Sequence, residues 1–212
     1  MEEFIRFFWI FMLGGFFGFL IETIWCMIRL KKIESRKGLI YGHFIPIYAF
    51  AALFISAVVE VFKIRKWYMV FLITFFISGV VEYVSSVFQE KCMGTSSWNY
   101  SNMKYNLNGR INLVYLVLFG LVGIIWCKGY PSILKFIFRL MRSKEIIYIV
   151  TMGLLIFMII NIIISCMAGS RQKRRRKGIK AKNRLEIWID NKYTDEYMAK
   201  IYPNASFVDE AK

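Results

Sequence analysis

The chain has 212 residues, of which 58% are hydrophobic and 18% aromatic, and its formal net charge at pH 7 is +15. Its mean hydropathy of +0.48 is higher than the surface of a soluble globular domain allows, so the composition excludes a soluble protein. The apolar runs are continuous and lack the alternation of barrel strands. They predict an all-α fold, a polytopic helical transmembrane bundle.

Five uncharged or nearly uncharged runs predict about five membrane spans, at residues 4–28, 44–62, 67–88, 111–127 and 146–168. Each is close to the length of about 20 residues that crosses the hydrocarbon core. We therefore expect a transmembrane domain over residues 1–170 and a short basic tail over residues 171–212. The first run follows an acid-rich start, MEEFIR, and is interpreted as a retained helix, not a signal peptide.

Basic residues flanking the spans predict the orientation. Residues 171–184 contain nine Lys or Arg and no acid, and the positive-inside bias therefore predicts a cytoplasmic tail. The loop RLKKIESRKGLIYGH would lie on the same side. In this topology the basic segment KGYPSILKFIFRLMRSKE faces outward, against the bias. An odd number of spans would place the two termini on opposite sides of the membrane.

Two local patterns predict helices outside the spans. Apolar and basic residues alternate with a helical period near residue 135, which predicts a short helix in the headgroup plane; the alternative is a sixth, half-crossing segment. The residues are Ile133, Lys135, Phe136, Ile137, Arg139, Leu140 and Arg142. In the tail we expect a small helix near residues 195–201, ended by Pro203. The polybasic start of the tail has two explanations, which are binding of anionic lipid headgroups or topology alone.

Several kinds of site are excluded by residue types and spacing. The four cysteines are isolated from one another, so there is no CxxC redox pair or zinc site. His43 is the sole histidine, and no cofactor or metal is predicted. No Gly-rich loop with Lys matches a phosphate-binding motif. Nucleic-acid binding is rejected because the positive charge flanks the spans, where membrane topology accounts for it.

Carboxylates inside the predicted spans carry the most information, because each costs several kcal/mol in hydrocarbon unless it is paired or faces water. Glu22 and Glu82 lie in the first and third spans, which run in the same direction and so approach the same end of the bundle. Arg110 precedes the fourth span at that end. We expect Arg110 to pair with Glu22 or Glu82. Glu60 is a weaker candidate, since Lys63 lies within one turn.

The loops at that end supply more hydrogen-bonding groups than one ion pair requires. The predicted binding residues are Glu22, Tyr48, Glu82, Tyr100, Asn106, Asn108 and Arg110. One interpretation is a structural ion pair that fixes helix register. The other is a polar cavity that binds a solute. No nucleophile with an adjacent base is visible, so no catalytic residue is predicted.

Backbone-directing residues predict how the first two spans pack. Gly14 and Gly18 form a small-residue face that allows close approach of another helix. Pro46, preceded by Gly42 and His43, predicts a broken or re-entrant entrance to the second span. The segments FFGFLIE and FFISGVVE resemble each other and suggest two helical hairpins related as a parallel repeat.

These features together resemble a bacterial membrane family known as "Putative ABC-transporter type IV", a CmpB-like family. The resemblance covers about residues 14–131 and includes SRKGLIYGHFIPIYAF and WNYSNMKYNLNGRINL. Residues that keep the family pattern are Glu22, Glu82, Tyr100, Asn106, Gly109 and Arg110. Gly42-His43 replaces Gly-Pro, Ala49 replaces Gly, Ser97 and Phe119 each replace Trp, and Asn99 replaces Asp. The change at residue 99 weakens any mechanism built on that carboxylate.

The resemblance implies a permease subunit in a bacterial plasma membrane, with a separate ATPase subunit as partner and an unidentified substrate. An alternative is a membrane-embedded enzyme acting on lipid or cell-wall precursors, with Glu22 or Glu82 as general base and Arg110 on a phosphate; the absence of a nucleophile ranks it lower. A third is a non-catalytic membrane partner protein. Membrane lipids are expected partners, and five spans are few for a solitary pathway, which favours a homo-oligomer.

Overall fold

The computed structural model describes residues 2–31, 33–141 and 143–208, so Met1, Lys32, Arg142 and residues 209–212 lie outside the described residues. The helices are α1 (Glu2–Leu30), α2 (Pro46–Val61), α3 (Trp67–Phe88), α4 (Leu113–Leu140), α5 (Lys144–Arg176), α6 (Arg184–Lys192) and α7 (Asp195–Ile201). A π-helical turn (Gln89–Met93) extends α3, and four two-residue strands are β1 (Thr95–Ser96), β2 (Asn106–Leu107), β3 (Ile111–Asn112) and β4 (Ser206–Phe207). The predicted all-α bundle is confirmed.

Four of these helices, α1, α3, α4 and α5, are long and apolar enough to cross a membrane. Their outward side chains are large and apolar, such as Phe76 and Ile125 at 65% and 72% exposed. The buried positions between helices include small and polar residues such as Ser56, Thr74 and Ser165. This inverted distribution is typical of helices packed in lipid, where small and polar side chains allow close helix contact. The protein is a membrane protein.

Consecutive helices run in opposite directions and define two ends of the bundle. At the end where α1 begins, Lys144 at the start of α5 donates to Glu2 at 2.8 Å, and Arg6 pairs with Glu60 near the end of α2. We call this the far end. At the opposite end, Arg29 of α1 donates to the Tyr115 hydroxyl near the start of α4. Residues 177–208 pack here, and we call this the capped end.

Glycines on α1 allow α2 to approach closely, as the sequence predicts. A Cβ added at Gly14 would overlap Ala52, and one added at Gly18 would lie 2.7 Å from Cδ2 of Tyr48 and closer still to Tyr48 Cβ and Cγ. At Gly15 an added Cβ would overlap the Phe44 ring. The two backbones can therefore lie close together only because these positions carry no side chain.

The connection between α1 and α2 folds back into the bundle before α2 begins. Ile45 N–H donates to the carbonyl of Gly15, in the middle of α1, at 3.0 Å. On α5, Asn161 accepts from Tyr41 N–H at 3.2 Å and donates to Tyr41 C=O at 2.8 Å. The irregular backbone is thus satisfied by protein groups, as membrane depth requires. The predicted re-entrant entrance at Pro46 is confirmed, and α2 has only 16 residues.

The predicted surface helix around residues 133–140 is wrong. Helix α4 continues through Pro131 to Leu140 without a break. Tyr130 and Leu134 are buried against Ile10 of α1 and Ala52 of α2. Burial of these side chains compensates for the hydrogen bond that a proline removes from a helix. The segment is therefore part of the bundle and does not lie in the headgroup plane.

The C-terminal residues form a cap that packs against the bundle. Helix α7 occupies the predicted residues 195–201. Tyr193 is fully buried and shares a hydrogen bond of 2.8 Å with Tyr41, while β4 pairs antiparallel with β1. The small helices thus share a core with α5 and the α1–α2 connection.

Three arginines of the polybasic segment are engaged inside the cap. Arg171, at 3% exposed, binds Asp190 at 2.6 Å, and Arg174 binds Glu186 at 2.7 Å. Arg175 binds Asp190 at 2.7 Å. These side chains fix the cap through ion pairs, a role that neither of the two explanations of the polybasic segment included. The reason is that α5 continues to Arg176 and presents them to α6.

Candidate functional site at the capped end

Two carboxylate–tyrosine pairs lie at the capped end. The Tyr48 hydroxyl, in the first turn of α2, donates to Glu22 Oε1 at 2.7 Å. The Tyr100 hydroxyl, in the loop between α3 and α4, donates to Glu82 Oε1 at 2.9 Å. The structure thus gives both predicted carboxylates a tyrosine partner. Because the first pair joins α1 to α2 and the second joins α3 to its following loop, each helical hairpin carries one pair.

Glu82 is the most deeply buried carboxylate of this group. Only 4% of the residue is exposed, and its second oxygen, Oε2, is buried without a hydrogen-bond partner among the described residues. An ionised carboxylate in such a place has lost its hydration and received one neutral hydrogen bond in return. We call Oε2 the open oxygen because, although it is buried, no described group donates a hydrogen bond to it. It is the least satisfied polar atom of the site.

Tyr100 brings the two carboxylates into one electrostatic environment. The pKa of its phenol is raised above the ordinary value by burial first, then by the charge of Glu82 and the hydrogen bond to it, and by Tyr115 and the charge of Glu22. Its ring lies 5.0 Å from the Tyr115 ring, centroid to centroid. Arg29 donates to the Tyr115 hydroxyl at 3.2 Å. Its guanidinium thus contacts the ring neighbour of Tyr100 and not Glu82 itself.

Aromatic rings form the remaining side of the site. The Tyr48 ring meets Phe119 of α4 edge-on at 6.1 Å. Phe119 stands at a position where we noted Trp in the family pattern, so this wall stays aromatic in both cases. Tyr48 itself is seated against Gly18, where an added Cβ would overlap it. The position of the Tyr48 hydroxyl therefore depends on a glycine one turn before Glu22.

The predicted pairing of Arg110 with Glu22 or Glu82 is wrong. Arg110 pairs with Glu90 and also donates to Ser86 Oγ at 2.9 Å, with its guanidinium 5.8 Å from the Tyr83 ring. The π-helical turn after α3 carries Glu90 toward Arg110. Glu90 is closer to the capped surface than Glu82, so the arginine does not need to enter the bundle to find an acid.

Two predicted binding residues, Asn106 and Asn108, serve the loop itself. Asn106 donates to Met103 C=O at 2.6 Å and accepts from Gly109 N–H at 2.8 Å. Asn108 donates to the Tyr83 hydroxyl at 3.0 Å and has φ of 54°. The Asn106 side chain stabilises the turn between β2 and β3, a frequent role of Asn, and the Asn108 side chain joins that turn to α3. The structure does not bring them to Glu22 and Glu82.

The loop contains one key residue that the sequence analysis missed. Asn112 is fully buried, donates to Lys104 C=O at 2.8 Å, and accepts from Val114 N–H at 2.9 Å as the N-cap of α4. An Asn immediately before an apolar run is a known helix-start signal. Trp98 Nε1 donates to Arg110 C=O at 2.9 Å. The polar stretch is therefore a folded segment that covers this end of the bundle, and Tyr100 extends from it to Glu82.

A second polar cluster at the far end was also missed. Glu60 pairs with Arg6 of α1 and accepts from the Tyr130 hydroxyl of α4. One turn away, Trp126 Nε1 donates to Ser56 Oγ at 2.9 Å. In the sequence, Lys63 is the basic residue closest to Glu60, and the predicted fourth span ends at residue 127, before Tyr130. This carboxylate differs from Glu82 in having a guanidinium partner.

The sequence model of a family described as "Putative ABC-transporter type IV" matches residues 9–166. The chain belongs to this family. The matched range begins in α1 and ends in α5, so it contains both carboxylate–tyrosine pairs and excludes the C-terminal cap. No curated protein and no solved structure matches the chain.

In the Putative ABC-transporter type IV family the pattern has Asp at the position of Asn99. Asn99 is exposed and its Oδ1 accepts from Ser101 N–H at 2.9 Å, which caps a turn. An aspartate would accept the same bond. The replacement therefore leaves Glu22 and Glu82 as the carboxylates of the site. Among the described residues, no group of three or more His, Cys, Asp or Glu could hold a metal ion.

Proposed function

We propose that the chain is the membrane-spanning subunit of a transporter, and that its solute site lies between the Glu22–Tyr48 and Glu82–Tyr100 pairs. The observation that carries the proposal is the open oxygen of Glu82, buried beside Tyr100 in a chain of a transporter family. Intramembrane carboxylates are rare because they are costly, and they commonly mark substrate or ion pathways. Arg110 takes the role of a loop anchor.

Two helical hairpins with one carboxylate–tyrosine pair each suit a site between halves of a bundle. In many transporters the substrate lies at the interface of two structural repeats. Here α1 packs against α2 and α3 against α4. Glu22 and Glu82 come from the first helix of each hairpin and lie at the same end. Motion of one hairpin against the other would change the separation of the two pairs.

The proposed location is a bacterial plasma membrane with the capped end in the cytoplasm. At this end the sequence places five Lys or Arg in residues 29–37 and nine in residues 171–184. The far end also carries basic residues, in residues 63–66 and late in α4, so the direction rests mainly on the segment after α5. A separate ATPase would then contact the cap and the loops of this end.

Membrane lipids are the proposed surroundings of the outer grooves. One groove of about 420 Å³ lies between α3 and the β2–β3 turn, and its lining includes Phe76, Val80 and Leu107. It is apolar and open, and its lining includes neither Glu22 nor Glu82. An acyl chain fits this chemistry better than a polar solute does.

The proposal is tested by purifying the tagged chain in mild detergent from membranes of its own organism and measuring ATP hydrolysis. We expect a stoichiometric ATPase subunit whose hydrolysis falls at least about tenfold with Glu82→Gln, a loss of about 1.4 kcal/mol. Glu60→Gln is the matched control, because Glu60 also accepts a tyrosine hydroxyl, and its partner Arg6 is 41% exposed and can reach water. A purified complex without ATP hydrolysis, or hydrolysis indifferent to Glu82→Gln, contradicts the proposal.

A further inference from the structure

The charge of the carboxylate–tyrosine site is unbalanced. Glu82 is buried, and the groups that face it are the Tyr100 hydroxyl from the loop and, through Tyr100, the Glu22 carboxylate from α1 and the Tyr115 hydroxyl from α4. From α2, Tyr48 donates its hydroxyl to Glu22. All of these groups are anionic or neutral. When both carboxylates are ionised, a second negative charge lies near one that is already costly to bury.

The nearby arginines bind other groups. Arg110 is paired with Glu90 and Ser86, and the recorded contact of Arg29 is with the Tyr115 hydroxyl. Neither contact reaches a carboxylate oxygen of the site. At the far end the comparable carboxylate, Glu60, pairs with Arg6 directly. Glu82 thus has the burial of a paired carboxylate without the protein cation.

We propose that the site binds one monovalent cation, held by Oε2 of Glu82 and by Glu22, with the rings of Tyr100 and Tyr115 beside it. The cation is either a free alkali ion or the ammonium group of a larger solute. This inference rests on the proposed function in taking the same site as the solute site, and it names the charge of what binds there.

A cation satisfies Oε2 of Glu82 directly, whereas a proton on that oxygen does not. A proton on Oε2 would neutralise the charge but would convert an oxygen without a donor into a hydroxyl without an acceptor, among the described residues. A cation neutralises the charge and contacts the open oxygen at once. The hydroxyl groups of Tyr48 and Tyr100 donate to the carboxylates, and their oxygens keep lone pairs that can also face a cation.

The residues of the site favour a single charge over a divalent metal. Magnesium gives up its water reluctantly, and among the described residues no group of three or more His, Cys, Asp or Glu could hold a metal ion. Aromatic faces near a cation add attraction that suits ammonium groups especially. Such faces are present in the Tyr100–Tyr115 pair, with ring centroids 5.0 Å apart and planes 30° apart.

The test is thermal unfolding of the purified protein in detergent, with chloride salts of sodium, potassium and methylammonium at equal ionic strength. N-methyl-D-glucamine chloride is the reference, because its cation is too large and polar for a packed aromatic site. We expect at least one small cation to raise the unfolding midpoint in a saturable way, by about 2 °C or more. An effect of methylammonium alone assigns the site to an ammonium group, and an effect of sodium or potassium assigns it to a free ion.

Two variants locate the effect. Glu82→Gln keeps the shape and should weaken the apparent affinity at least about tenfold. In the reference salt it should be no less stable than wild type, since it removes an uncompensated charge; a carboxylate with only a structural role would give the opposite result. Glu60→Gln should keep the cation effect. The inference is overturned if no small cation acts, or if the effect persists in Glu82→Gln.

This measurement is independent of the ATPase. Saturable cation binding that requires Glu82, in a chain that purifies without ATP hydrolysis, supports the cation site and removes the transporter proposal. ATP hydrolysis that depends on Glu82, in a protein whose unfolding ignores every small cation, does the reverse. The two proposals therefore fail separately.

Discussion

Replacement of Gly18 by alanine tests how the first carboxylate–tyrosine pair is positioned. Gly18 lies one turn before Glu22 on α1 and faces Tyr48 of α2. The new Cβ would lie 2.7 Å from Tyr48 Cδ2 and closer to Tyr48 Cβ and Cγ. Carbon atoms in contact are separated by about 3.5–4.0 Å, so Tyr48 must move by about 1 Å or more. Because the Tyr48 Cβ is attached to the backbone of α2, rotation of the Tyr48 side chain cannot relieve the overlap. Helix α2 itself must therefore shift.

Such a shift affects both stability and the site. Overpacking of a close helix contact costs about 1–3 kcal/mol, and each kcal/mol lowers the unfolding midpoint of a chain of this size by about 2–4 °C. The Tyr48 hydroxyl lies 2.7 Å from Glu22, so a displacement of 1 Å carries it past hydrogen-bond distance. We therefore expect Gly18→Ala to lose stability and to weaken the cation effect together.

The assay is the same thermal unfolding, with Gly153→Ala as the matched control. Gly153 is in α5, and nothing lies within 4 Å of a Cβ added there. Alanine at such a helical position is favoured over glycine by about 0.5–1 kcal/mol, so this variant should be as stable as wild type or slightly more stable. If Gly18→Ala behaves like Gly153→Ala, the close contact of α1 with Tyr48 does not exist.

Three further predictions concern the parts that support the site. Asn161→Ala should leave the N–H and C=O of Tyr41 unpaired, at about 1–3 kcal/mol for each stranded group, and hydrogen exchange at residues 38–45 should accelerate. Arg171→Met should break the ion pair with Asp190 at a cost of about 1.5–3 kcal/mol, since Arg175 still pairs with that carboxylate; limited proteolysis before α6 should then speed up while the bundle keeps its midpoint. The pKa of Asp190 is lowered by the hydrogen bond from Arg171 and then by that from Arg175. Its stabilising contribution is present above the unfolded pKa of 3.8 and disappears as pH falls through the lower folded value, so proteolysis should be constant down to about pH 4 and rise below it. Cleavage that already rises near pH 6 contradicts this assignment.

The helices could be predicted from the sequence wherever charged residues mark both ends of an apolar run. The limits of α4 could not. Lys128 and Pro131 suggested an end near residue 127, but Tyr130 and Leu134 are buried against α1 and α2, and this packing is a property of the fold. A proline in a helix is tolerated when neighbouring helices hold the turn around it. Local sequence rules contain no information on those neighbours.

The charged partners were harder to predict than the charged residues. The position of Glu22 and Glu82 inside spans follows from their neighbours in the sequence, and their shared end follows from helix direction. The partner of Arg110 depends on a π-helical turn that carries Glu90 toward it, and such turns have no reliable sequence signal. Attraction between opposite charges therefore predicts correctly that Arg110 pairs with an acid, but the acid is Glu90.

The half-buried carboxylate of Glu60 and the buried carboxylate of Glu82 share one motif and differ in one component. Glu60 and Glu82 each accept a tyrosine hydroxyl from another part of the chain, so a tyrosine bond cannot by itself distinguish a structural carboxylate from a binding one. Glu60 also has Arg6, and with that charge its local balance is complete. Glu82 has an open oxygen in place of a guanidinium. Because folding alone does not compensate for a buried charge of this kind, the proposed cation would supply at Glu82 the positive charge that Glu60 receives from Arg6.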